Sequence, residues 1–150
     1  MRSTTSSRPS TMPLSGLIIV ALLLLAGCAA SAPHEQHAIT LQDGDEVEIV
    51  SAGARYFTFT LDSPANVVLE SHTHAGQQTQ VIPNARLLDA EGNQVARDWD
   101  GGRGHNFRLE QQLEPGVWFL HVMNPFACNG EQRCSDLDYR YRVSLDVSPD

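Results

Sequence analysis

The chain contains no lysine; its ten basic residues are all arginine. There is no G-x-S-x-G elbow and no H-E-x-x-H pair, which excludes the hydrolase and zinc-protease sites that depend on those spacings. Serine, histidine and aspartate all occur, yet no carboxylate pair is singled out for glycoside chemistry. The expectation is a protein that is not an enzyme. After residue 28 no segment sustains a 3.6-residue apolar period between caps, so a helical domain is excluded as well.

Long hydrophobic runs are also missing. The longest is Leu17–Ala26, "LIIVALLLLA", half of the roughly 20 residues that a membrane-spanning helix needs. With Arg2 and Arg8 ahead of it and no acidic residue, residues 1–27 have the layout of an export signal. The run ends in Leu25-Ala26-Gly27-Cys28, which resembles the bacterial lipobox. That resemblance implies that Cys28 becomes the mature N-terminus and carries acyl chains. Each buried CH₂ adds about 0.8 kcal/mol, so two or three chains anchor a protein stably in a membrane. Ala29 follows the cysteine where an aspartate would resemble an inner-membrane retention signal. The expected location is therefore the bacterial cell envelope, on the outer membrane facing the periplasm. A plain secretory cleavage after Ala30 or Ala32, discarding Cys28, is the competing reading.

Residues 28–36 read as a lipidated N-terminal tether, and 37–148 as one domain. All 18 acidic residues lie beyond residue 28, against eight arginines, a formal balance of −10. Such a surface repels phosphate backbones, so nucleic acid is excluded as a partner, and membrane attachment falls to the lipid. Of the three cysteines, Cys128 and Cys134 remain, in "CNGEQRC". In an exported protein they read as a local disulfide, worth about 2 kcal/mol in the loop-closure model.

What the chain does have is alternation. Phe57, Phe59 and Leu61 share one face of "RYFTFTLD"; Ala65, Val67 and Leu69 share one face of "ANVVLES". Trp118, Leu120 and Val122 alternate with Phe119 and His121, and Tyr139, Tyr141, Val143 and Leu145 alternate with Arg140, Arg142, Ser144 and Asp146. Weaker strands are expected at 38–41, 45–50, 79–88, 93–97 and 105–111, with loops at 71–80 and 124–138. Eight or nine short strands between turn residues predict an all-β, antiparallel sandwich.

Four stretches carry a resemblance: "GARYFTFTLDSPANVVLES", "ARLLDAEGNQVARDWDGG", "LEPGVWFLHVM" and "YRYRVSLDV". Their order over 45–147 is similar to the bacterial pre-peptidase C-terminal domain. The resemblance implies a jelly-roll-like β-sandwich, in that family an accessory appended to exported enzymes. Without a peptidase domain beside it, the expectation becomes a stand-alone module that binds an envelope protein or glycan partner.

Family relatives such as those in bacterial collagenases bind calcium around this kind of turn. The resemblance thus marks Asp89, Glu91, Asn93, Asp98 and Asp100 as candidate calcium ligands. An EF-hand is excluded, because counting from Asp89 the sixth position is Gln94 and the glycine falls at Gly92. The competing reading is a hairpin turn whose acids keep its end soluble. Trp99, between two aspartates, is a platform for a ligand or a plug for the sandwich end. His72 and His74 would share a face on a strand, as a two-histidine metal site needs; an exposed loop is the alternative.

Overall fold

Among the described residues the alternation becomes nine strands and no helix. The computed structural model describes residues 37–51, 53–74, 81–124 and 139–149. The export signal, Cys28, the tether and the Cys128–Cys134 pair lie outside the described residues. The strands are β1 (Ile39–Thr40), β2 (Glu46–Val50), β3 (Arg55–Leu61), β4 (Ala65–Thr73), β5 (Asn84–Leu88), β6 (Gln94–Asp98), β7 (Arg108–Leu113), β8 (Gly116–Met123) and β9 (Arg140–Pro149). They form a five-stranded sheet, β1-β3-β8-β5-β6, and a four-stranded sheet, β2-β9-β4-β7. All pairings are antiparallel except the short β1, which runs parallel to β3.

The core lies between the sheets and is built from the predicted faces. Phe57, Phe59 and Leu61 meet Leu120 and Val122 from β8 and Ala85 and Leu87 from β5. The facing sheet contributes Val67, Leu69, Leu109, Tyr141, Val143 and Leu145. Each is at most 6 % exposed, and each buried leucine, valine or phenylalanine contributes about 1.5–3 kcal/mol of transfer free energy. Trp118 is on the inner face as expected but only packs against the rim of the core, its indole N–H donating to the Glu114 carbonyl at 3.1 Å.

Two boundaries differ from the expectation for a physical reason. The 71–80 stretch reads as loop, but β4 continues through Ser71, His72 and Thr73. Ser71 occupies an inward position and is buried, where a hydroxyl interrupts the apolar pattern. It is satisfied there: Ser71 Oγ accepts from Phe107 N at 3.0 Å and donates to Asn106 Oδ1 at 3.0 Å. The second difference is at 105–107, expected as strand and observed as the end of a loop. Phe107 is fully buried, and the loop turns inward to place it there.

The turns follow their chemistry. Gly44 adopts φ +81° in the β1–β2 turn, a conformation that glycine takes without steric cost. Asp45 Oδ2 accepts from Gln42 N at 2.7 Å, and Asp43 Oδ1 accepts from Val147 N at 2.7 Å, tying that turn to β9.

Burial pushes the Tyr141 hydroxyl up from 10.0 to about 12, a cation on Arg55 opposing weakly. The neutral phenol is the form the core accepts, so its contribution is fully present below pH 10. It is lost as the pH rises toward 12, where the unfolded chain ionises first. Melting temperature is expected to fall over that window, and less steeply in Tyr141→Phe; equal slopes for the two proteins would contradict this account.

Candidate functional site

The β5–β6 hairpin closes with Asp89 N donating to Asn93 O (3.0 Å) and Gly92 N to Asp89 O (3.1 Å). Gly92 takes φ +85°, and the register shifts between Leu87 and Leu88, a bulge that completes the turn. The Asp89 carboxylate accepts from Asn93 N at 2.7 Å and from Asn93 Nδ2 at 3.0 Å. It is therefore a turn clasp. At the other end of β6, Asp98 Oδ2 accepts from Gly101 N at 2.8 Å and Arg108 N at 2.9 Å.

The five candidate calcium ligands are thus not one cluster. Asp89, Glu91 and Asn93 sit at the turn, while Asp98 ends β6 at its far end and Asp100 lies two residues beyond it. Five residue steps of extended chain separate Asn93 from Asp98, about 16 Å at the usual rise per residue. One cation cannot be held by all five. Among the described residues no group of three or more His, Cys, Asp or Glu side chains is placed to hold a metal ion. The histidines divide as well: His72 Nε2 lies 3.4 Å from Ser144 Oγ, and His74 Nε2 lies 3.5 Å from Glu48 Oε1.

Trp99 is 55 % exposed, so it is not a plug. Its turn is held from both sides. Asp98 clasps Gly101 and Arg108; further on, Gly102 N donates to Asn106 O at 2.8 Å, and Asn106 Nδ2 donates to Arg103 O at 2.7 Å. A Cβ at Gly102 would lie 2.9 Å from the Asn106 and Phe107 carbonyl oxygens, so only glycine fits the close approach.

The outer faces of the two sheets differ. On the four-stranded sheet the arginines meet carboxylates: Arg142 with Glu46, Arg140 with Glu48 at 3.5 Å, and Arg108 with Glu70 and with Glu110 at 3.1 Å. On the five-stranded sheet a row crosses four strands, Tyr56 opposite His121, His121 opposite Arg86, and Arg86 opposite Arg97. The Tyr56 and His121 rings stack with centroids 4.3 Å apart and planes 7° from parallel. Beside the row Phe119 is 5 % exposed yet stands outside the core cluster, because it faces outward with Thr58 and Leu88. Sequence reasoning placed Phe119 and His121 on this face but missed the row. Its members come from strands far apart in the chain, and their alignment is a matter of pairing rather than spacing.

A separate open cleft of about 570 Å³ lies at the end formed by the β1–β2 and β3–β4 turns, with Phe59, Leu61 and Leu145 in its lining and Asp43 and Asp62 beside them.

Hydrogen bonds from the Asn93 side chain first, and from the backbone N–H groups of Asn93, Glu91 and Gly92, hold the Asp89 carboxyl below its ordinary 3.8. The stability this contributes is present above pH 3.8 and lost as the pH falls through the depressed value. The acid limb of a melting-temperature profile is expected to flatten in Asp89→Asn, which keeps an acceptor oxygen but does not titrate. An unchanged acid limb would remove Asp89 from the account.

No protein-family model matches the chain. No curated protein matches it either. Among solved structures it is similar to the crystal structure of the pre-peptidase C-terminal domain of a collagenase from Bacillus anthracis. That likeness has a TM-score of 0.54 at 15 % identity and covers 73 % of this chain and 94 % of that one. At that identity the likeness speaks to architecture, and the architecture is a β-sandwich like that of a pre-peptidase C-terminal domain.

Proposed function

We propose that the chain is a non-catalytic, lipid-anchored bacterial envelope protein whose sandwich binds a protein or glycan partner. The observation that carries this reading is Trp99, more than half exposed on a turn clasped by Asp98. A large apolar ring costs free energy in water, and a fixed backbone removes the ordering cost that a mobile loop would add on binding. The fold likeness is compatible with an accessory module. The anchor reading rests on Leu25-Ala26-Gly27-Cys28, and Ala29 supports the outer membrane facing the periplasm as its location.

Two measurements test the reading. Cys28→Ser is expected to release the protein from membrane pellets; retention in the pellet would overturn the anchor. Binding of the full-length protein to isolated envelope fractions is expected to weaken at least tenfold in Trp99→Ala, the factor that about 1.4 kcal/mol represents. Unchanged binding, or turnover of a peptide or glycan by the purified protein, would overturn the binding-module reading.

A further inference from the structure

The outer face of the five-stranded sheet breaks a rule that the opposite sheet obeys. Arg86 and Arg97 stand directly opposite each other on β5 and β6. Both are exposed, and neither has an ion pair or side-chain hydrogen bond with another described residue. Like charges directly opposite on one sheet face are destabilising. On the four-stranded sheet the same chain sets Arg108, Arg140 and Arg142 against glutamates. Natural proteins break such local rules at functional surfaces, and here the break has no compensating partner among the described residues.

Charge distribution points the same way. The chain carries 18 acidic residues, yet the five strands of this sheet hold a single one, Asp98. Asp98 aligns with the inward-facing Ala85, and its Oδ2 is occupied by two backbone N–H groups. The row of Tyr56, His121, Arg86 and Arg97 is therefore a cationic strip on an otherwise acidic molecule. The Tyr56–His121 stack stiffens one end of it. Trp99 follows Arg97 by two residues beyond the edge strand.

We propose that this row binds a carboxylated polysaccharide, its two arginines pairing with the carboxylates of uronate-type sugars. Guanidinium groups match carboxylates in bidentate geometry. Neighbouring strands present one side chain about every 4.8 Å, comparable to the rise of one pyranose ring along an extended polysaccharide. Trp99 supplies an apolar face for a sugar ring, a contribution that rests on the binding-module reading above. A membrane surface fits less well, since binding to anionic lipid takes clusters of four to eight basic residues. An acidic peptide would use the arginines but leave the tryptophan face without a matching ring.

The test measures binding of the full-length protein, in detergent micelles, to polygalacturonate. Dextran, polyglutamate and micelles doped with phosphatidylglycerol serve as the other arms. Polygalacturonate is expected to bind, to weaken as salt is raised, and to weaken at least tenfold in the Arg86→Gln/Arg97→Gln double variant. The melting temperature of that variant is expected to hold or rise, because the opposed charges are gone; loss of binding through misfolding would lower it. Equal binding of dextran, tighter binding of polyglutamate or of the phosphatidylglycerol micelles, or an unaffected double variant would each overturn the proposal. If Trp99→Ala loses envelope binding while the double variant keeps it, the carboxylate inference falls and the binding-module reading stands. If neither change alters binding, both fall.

Discussion

The register of β8 is the constraint on which the rest depends. This strand pairs with β3 on one side and β5 on the other, matching Leu120 at once to Phe57 and to Leu87. Side chains alternate with a period of two, so a slip of one residue would turn Leu120 and Val122 outward and bring Phe119 and His121 inward. The slip would bury an imidazole and expose core side chains that are now fully covered, which makes one register strongly preferred. That same register aligns Tyr56, His121 and Arg86 on the outer face. Core and candidate binding face are two consequences of one pairing.

A polar anchor plays the corresponding part at the end of the sandwich that carries Trp99. Ser71 and Asn106 are both buried, and burying either without partners would be unfavourable. Their mutual bond, with Phe107 N on the hydroxyl and Arg103 O and Thr73 Oγ1 near the amide, satisfies them together. It also joins the loop after β6 to β4, in the opposite sheet. The 99–107 segment is thereby fixed at Asp98 and at Asn106. Rigid backbone between two such points is what allows a large ring to stay exposed without folding back onto the core.

How much of this was legible in the sequence follows from how local each feature is. β3 and β9 show themselves because each alternates over seven residues or more, and β8 because its run of apolar residues sits between turn residues, although Phe119 breaks the alternation. The end of β4 was hidden because Ser71 puts a hydroxyl where the pattern demands an apolar group. The acidic hairpin is legible only in part. Asp89 and Asp98 are close in the chain but belong to opposite ends of a strand, and each carboxylate serves a backbone turn. Proximity in sequence means proximity in space along a loop, not along an extended strand. The arginine row is the converse case. Arg86 and Arg97 are adjacent only through the hairpin, and His121 and Tyr56 only through the strand order. No spacing rule applied to one segment reveals a row drawn from four.

The division of charge between the two sheets gives the molecule a direction. Acidic residues outnumber arginines by 18 to 10, so the net field repels a polyanion from most approaches. On the four-stranded face the glutamates neutralise their neighbouring arginines and leave no cation to spare among the pairs described. On the five-stranded face Arg86 and Arg97 have no ion pair with another described residue, and there the short-range attraction can exceed the repulsion, which salt screens over about 10 Å. Under the proposed binding of an anionic chain, an acidic body would serve orientation as well as solubility, rejecting wrong docking poses and admitting the chain along one strip. Selectivity of that kind needs the repulsive surface as much as the attractive one.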